Sequence, residues 1–512
     1  MKLKYGMLLF LAAFFIFTQK TLAQEVVDTT ESFATDTIPI QYKADILESD
    51  IAFGTGVQRL TGNVMLWQRN VTMLCDTAYF NRTNNSFRGV GNIHLSKDSM
   101  NIYADTLHYF GNEKIGQFRE NVLMTDSVMT LTTNKFDFDL KINKGYYFEG
   151  GKIVDSTASL QSLEGYYLPN DSLYLFKDSV ELHNEKYSMY TDTLKYNFEI
   201  ERTFFFGPTN ILSEENNLYC ENGWYDLNQD VAQFNENARY TNNSQILKGD
   251  SLYYNRKIGI GKAFRNVELS DSLENVIING QYGYYNEKNE TSLLTGMPLL
   301  TQISDGDSLF LHADTLLSIY DSTGTYQTVL AFHHVKLFRH DYQAKCDSMV
   351  YLMQDSILLF HTEPVMWFED NQVTAKTIEM HIRNRKIHYF KLTNSAFIIT
   401  MEDSTKFDQV KGRDIHGYFT DGQLSKVEVR SSAESLYYVI DNDMLMGVNK
   451  AECVDMDIYF VGKTVDSIVF KNQPKATLYP PLQLSGNDLL LSNFLWLNHL
   501  RPKTKNDIFI RQ

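Results

Sequence analysis

Acidic side chains spaced by multiples of one interval are the first feature of this sequence that could do chemistry. Asp76, Asp105, Asp192 and Asp250 sit in matching stretches, clearest as Ile102-Tyr103-Ala104-Asp105-Thr106-Leu107-His108-Tyr109, and their separations are 29, 87 and 58 residues. A ladder of carboxylates could bind cations or work as acid–base pairs. Catalysis, however, needs one special set, whereas one acid per repeat suits a strand corner at which the carboxylate accepts hydrogen bonds from backbone N–H groups. His333, His334 and His340 form a second cluster. Their spacing matches no standard metal site, so they read as surface hairpin histidines. Arg383, Arg385 and Lys386, flanked by His381 and His388, crowd positive charge into one turn. That turn could hold phosphate groups of an anionic lipid, or it could be a solvated hairpin. The sequence has no Walker loop, dinucleotide fingerprint, HExxH or GxSxG. No enzyme, no metal and no cofactor is expected.

The thiols follow the same interval. Cys75, Cys220 and Cys346 each precede the acidic slot of their own repeat, a position filled elsewhere by Ala104, Thr191, Gly249, Ala313 and Ala375. The slot wants a small buried side chain, and Cys behaves as one. Cys75 and Cys220 are five repeats apart, which puts them at least roughly 24 Å apart if strands stack at about 4.8 Å. A disulfide tolerates about 7 Å between Cα atoms, so none is expected among these three.

These residues must be positioned by strands. A second stretch, Gly62-Asn63-Val64, Gly91-Asn92-Ile93 and Glu120-Asn121-Val122, recurs at the same period half a repeat away. A fixed period over many copies marks a repeat architecture. Around the acid, apolar residues fall at positions −3, −1, +2 and +4, as in Ile102, Ala104, Leu107 and Tyr109. Spacing by two within each half is that of a half-buried strand. The parity flips at the Asp-Thr pair, so all four point one way only if the strand turns a corner there, at a bulge or bend. Turn residues at both strand ends, such as Asn81-Arg82-Thr83-Asn84 and Ser96-Lys97-Asp98-Ser99, favour an antiparallel meander over a parallel β-helix. The expected fold is all-β: about 14 repeats of about 29 residues in a long antiparallel sheet of bent strands.

Composition agrees. The 512 residues carry 31 Tyr and 33 Phe against 9 Pro, a bias towards strands. A net charge of −16 argues against a general nucleic-acid binder. Residues 1–23 read as a cleaved signal peptide, with Lys2 and Lys4, an apolar run from Met7 to Phe17, and Ala23 at the cut. Gln24, not Cys, follows the cut, so no lipid anchor is indicated. Residues 24–39 read as a polar linker, 40–295 as a regular repeat section, and 296–480 as a less regular continuation. Residues 481–512 read as a C-terminal cap. Its apolar run from Leu489 to Leu497, preceded by Asn487 and stopped by Pro502, reads as a short helix closing an open sheet end.

The opening Lys43-Ala44-Asp45-Ile46-Leu47-Glu48, then Gly54-Thr55-Gly56 and Leu60-Thr61-Gly62-Asn63-Val64, resembles the OstA-like (organic solvent tolerance) family, and the later copies repeat the theme. That family includes periplasmic lipopolysaccharide-transport bridge proteins and the N-terminal part of the outer-membrane translocon. The resemblance implies a β-taco or β-jelly-roll whose groove shields acyl chains, with modules joined end to end by β-augmentation. It implies a periplasmic protein of a Gram-negative-type cell, associated with the outer membrane and partnered by lipopolysaccharide or a similar acylated glycolipid, other OstA-like modules and the translocon. Leu95, Leu107, Tyr109, Met124, Leu194 and Leu252 are the candidate groove-lining residues; Arg383, Arg385 and Lys386 are the headgroup candidates. The competing readings are a structural or adhesive surface β-solenoid with a packed core, and a carbohydrate-active β-helix enzyme, which would need a unique acidic cluster.

Overall fold

The computed structural model describes residues 38–511 except 127–128, 274, 305–306, 321–326, 442–443 and 482. The expected signal peptide and all but the last two residues of the linker lie outside the described residues. The described chain forms two compact units: a first of residues 38–243 with 251–258, and a second of 244–250 with 259–511. Among the described residues no helix is long and apolar enough to cross a membrane.

In the first unit, Val57–Gln68, Val71–Asn81, Ser86–Lys97, Met100–Phe110, Ile115–Thr125 and Thr130–Asp139 pair in sequence order, each antiparallel to the next. The reversals are built as the turn residues suggest. Asn81 Oδ1 accepts from the N–H groups of Thr83 and Asn84, and Asp139 Oδ1 and Asn197 Oδ1 do the same for the two residues that follow each by two and three. A short polar side chain that mimics the next turn of backbone is why Asn and Asp recur there.

Each strand bends once, and the residues responsible differ from the sequence expectation in one respect. The four positions around the acid do all face inward: Met73, Cys75, Ala78 and Phe80 are buried, as are Ile102, Ala104, Leu107 and Tyr109. The inserted residues, however, are on the neighbouring strand. Gly62 and Asn63 both have positive φ, 77° and 46°, and the register jumps across them from Thr61↔Thr77 to Val64↔Cys75. Two residues therefore face one, Asp76, and the strand turns through the bulge. The first left-handed residue of each corner falls at 62, 91, 120, 149, 178, 207 and 236, always 29 apart. Gly serves the first place well, because a Cβ on Gly91 would also lie 2.4 Å from a carboxylate oxygen of Asp76.

The second unit keeps the corner and loosens the interval. Its corner pairs begin at 265, 296, 333, 362, 394, 431 and 472, in steps of 31, 37, 29, 32, 37 and 41. The register jumps there too, from Phe332 to Val335 and from Thr393 to Ala396. The inner core runs through Leu311, Met349, Phe360, Met380, Phe390 and Val427.

The C-terminal segment is not a helix. It holds three short 3-10 turns, Gly486–Leu489, Asn498–Leu500 and Asp507–Phe509. Nor does it close a sheet end. It runs across the strands of the second unit, over the outer side of one layer, from Leu436 and Tyr438 to Asp314. The physical reason is visible in its backbone bonds. Gln409 donates to the Leu489 carbonyl (2.8 Å) and accepts from Leu491 N–H (2.8 Å); Gln372 donates to Leu495 (2.7 Å) and accepts from Leu497 (2.7 Å). Sheet side chains thus satisfy main-chain groups that a helix would have bonded internally.

Candidate functional site

The interior of the bent sheet is the candidate site. In the first unit, cross-strand partners build an unbroken apolar row through one layer. Met73 faces Leu95, Leu95 faces Ile102, Ile102 faces Met124 and Met124 faces Leu131. The row goes on through Leu182, Met189, Ile211 and Leu218. The other layer contributes Leu107 against Phe118, Phe118 against Phe136, and Leu194 between Phe176 and Phe205. Inward Cβ atoms at one position per strand produce these rows, because every strand carries the same corner at the same place.

All six candidate lining residues lie inside the first unit: Leu95, Leu107 and Leu194 are fully buried, Tyr109, Met124 and Leu252 nearly so. Leu95 and Met124 belong to one layer's row, Leu107 and Leu194 to the other's. Tyr109 lies two residues beyond Leu107 on the same strand and is buried. Its ring packs on Phe87 (5.6 Å between centroids) and its hydroxyl donates to Gln68 Oε1 (2.5 Å), while Gln68 Nε2 donates to the Gly111 carbonyl (3.2 Å). Burial pushes the Tyr109 phenol well above its usual range, so it stays a neutral donor.

Glycines in these rows make room for rings. A Cβ on Gly165 would stand 2.2 Å from the Tyr147 ring, and one on Gly223 would stand 2.4 Å from Phe205. The cysteines also face inward: all four are buried and free. Burial, helped by the charge of the adjacent acid, pushes the Cys75 and Cys220 thiols up to about 12, so they act as small apolar groups, not nucleophiles.

The recurring acids have a structural partner the motifs alone did not reveal. Asn63, Asn92, Asn121 and Asn237 donate their side-chain amides to Asp45, Asp76, Asp105 and Glu221 at 2.6–2.8 Å. The carboxylate therefore accepts a side-chain amide, where backbone N–H groups had been expected. The slot's own N–H instead donates to the carbonyl of the first corner residue, as Asp45 does to Gly62 (2.9 Å) and Leu163 to Asp178 (3.0 Å). The signal was present in the sequence: from Asp76, Asp105 and Glu221, each Asn follows its acid by 16 residues.

His333 and His334 are a corner pair of the second unit, not hairpin residues. Both have positive φ, and His334 Nδ1 meets Asp314 Oδ2 at 2.9 Å in the role Asn plays elsewhere. Arg383, Arg385 and Lys386 lie in the second unit on the hairpin between Thr377–Arg383 and Lys386–Met401, and all three are exposed. Lys386 Nζ donates to the Asp421 carbonyl (3.0 Å), and the Arg385 carbonyl accepts from Arg339. The groove candidates and this basic turn thus belong to different units. Among the described residues no group of three or more His, Cys, Asp or Glu is arranged to hold a metal ion.

Comparison with known proteins adds a family. Residues 37–192 and 213–295 match the model of the family described as "OstA-like protein". No curated protein matches the chain. Among solved structures, the chain is similar to LptH of Pseudomonas aeruginosa, described as the LptA-homologous periplasmic component of the conserved lipopolysaccharide transport device. That similarity has 12% identity, covers 32% of this chain and 80% of that one, and has a TM-score of 0.09, too low to carry an inference.

Proposed function

Residues 37–192 and 213–295 are OstA-like, and from that premise we propose that the chain is a non-enzymatic carrier of lipopolysaccharide or a similar acylated glycolipid in the periplasm. One observation carries the proposal: the inward rows of the first unit are apolar from strand to strand, with no charged side chain among Leu66, Met73, Leu95, Ile102, Met124 and Leu131 or their counterparts in the facing layer. An acyl chain placed between two such rows leaves water at about 0.8 kcal/mol per methylene. The acid–amide pairs sit at the corner, and the few buried polar side chains of the interior, such as Thr191 with Thr209 (2.8 Å) and Tyr147 with Ser162, bond one another. The protein would shield chains passively, and a separate machine would supply direction. Further OstA-like modules would add by strand pairing at the sheet ends, and the outer-membrane translocon would receive the lipid.

A photo-crosslinking residue at Leu107 or Leu194, with Tyr103 and His108 as outward controls, tests this in cells. Lipopolysaccharide adducts from the inward pair support the groove; adducts from the outward pair alone reject it. The glycines filled by Tyr147 and Phe205 favour a second reading, a structural solenoid whose interior is packed by its own side chains. Lipid mass spectrometry on the purified protein separates the two, since a packed interior carries no stoichiometric glycolipid.

A further inference from the structure

The C-terminal segment lies on the second unit as a ligand lies on a receptor. It meets the sheet at steps of six residues: through the carbonyls of Leu489 and Leu495, the side chain of Arg501, and the carbonyl of Asp507. The groups that meet it are on the outward side of the layer. Gln409 and Gln372 each make a two-pronged contact, one donated and one accepted bond, with residues two apart in the segment. Gln343 Oε1 accepts from Arg501 Nε (2.7 Å), and Lys336 Nζ donates to the Ile510 carbonyl (2.6 Å). Arg511 reaches Asp314 (2.8 Å). All three glutamines are buried although they point away from the inner core. A second apolar cluster, separate from that core, joins Phe397, Ile399 and Leu436 to Leu491. Phe494 and Trp496 pack on Phe407 at 5.4 and 5.1 Å.

We propose that this outward face is a peptide-binding site and that residues 484–511 are its ligand, held in cis. A carboxamide that takes one N–H and one C=O reads main chain, not side chain, so the glutamines recognise any peptide of this path. Selectivity comes from the apolar residues between the contacts, chiefly Leu491 and Ile508, which are buried on docking. The ligand class is an extended, turn-punctuated peptide with two main-chain contacts six residues apart, a basic side chain six residues further on, and apolar anchors between the contacts. Such a ligand binds and leaves as one piece, independently of the strand pairing beneath it. The site does not depend on what fills the inner rows.

The test uses the full chain with a protease site introduced between Tyr479 and Leu484, cut after folding. The freed segment should remain bound through gel filtration and then be replaced, saturably, by excess fluorescent peptide of residues 483–511. Gln372→Leu combined with Gln409→Leu should speed that replacement at least tenfold. If the fluorescent peptide fails to enter while the cut protein keeps its melting transition, or if losing the segment unfolds the unit, the site is not a receptor. Hydrogen exchange on the uncut chain gives an independent readout. The Leu491 and Leu497 amides should exchange well before those of the strand Tyr342–Leu352, and exchange only with global unfolding overturns the proposal.

Discussion

The two units have interiors built on the same rule and differ on the outside. In the first, corners recur every 29 residues and the outward side chains pair among themselves. Arg119 bonds Asp137 (2.5 Å) and lies over the Phe148 ring (5.7 Å), and Arg202 bonds Asp226 (2.6 Å) and lies over Trp224 (4.6 Å). In the second, the corner interval varies by up to a dozen residues, and one outward face, with an apolar cluster beside buried glutamines, is covered by the chain's own end. A strict period lets every strand offer the next the same outward partner, so the face satisfies itself. Where the period slips, the outward face needs another cover. The inward rule survives because it is set at the corner, not by the distance between corners.

The largest test of this contrast is removal of the cover. Ending the chain after Tyr479 should expose Phe397, Ile399, Leu436 and Tyr438 and lower the stability of the second unit by roughly 3–5 kcal/mol, from the lost burial of Leu491 and Ile508, while leaving it folded. Scanning calorimetry should show one transition falling while the first unit's stays in place; a fall in both breaks the distinction. Next in size is the shared interior. Gly165→Ala in the first unit and Gly417→Ala in the second each push a Cβ within 2.3 Å of a ring atom, of Tyr147 and Phe390 respectively. Each should cost about 1–3 kcal/mol, by denaturant melts, if overpacking is felt alike inside both.

A smaller effect is expected at the corners. Asn92→Ala removes the bond to Asp76 and puts Ala at φ 47°. A loss of about 1–2 kcal/mol is expected, from a hydrogen bond and a left-handed residue. The smallest is a pH effect confined to the second unit. Burial, aided by the charge of Glu402, raises the Asp408 carboxyl to about 8, against the hydrogen bond it accepts from Tyr438 N–H. The folded state then holds a proton that the unfolded chain has released above about pH 4, so stability falls as pH rises from there towards 8. Asp408→Asn should flatten that slope for the second unit's transition alone, and an unchanged slope would place its origin elsewhere.

Much of the inside was legible because it repeats. The four inward positions and the parity flip at the acid follow from Ile102, Ala104, Leu107 and Tyr109, and burial bears them out. The inserted pair was visible as Gly62-Asn63, yet its role as the turning element was not, since spacing alone does not say which of two paired strands carries the extra residue. The cap was misread for a related reason. Seven apolar residues between Leu489 and Leu497 suggest a helix, but Leu491 is buried while Leu495 is exposed, and Asn493 is left-handed. That pattern is set by Gln409 and Gln372, which in the sequence look like any outward polar residue of a strand.

The corner also makes length a countable quantity. Because each bulge is complete within one pair of strands, and where an acid and amide meet they lie 16 residues apart, excising one whole 29-residue unit from the regular array rejoins strands in the same register. Two strands correspond to about 9.6 Å along the stacking direction. Selection, or an engineer, can therefore shorten or extend the array in steps of that size without redesigning its cross-section, whereas an excision that is not a multiple of 29 residues would break the corner register.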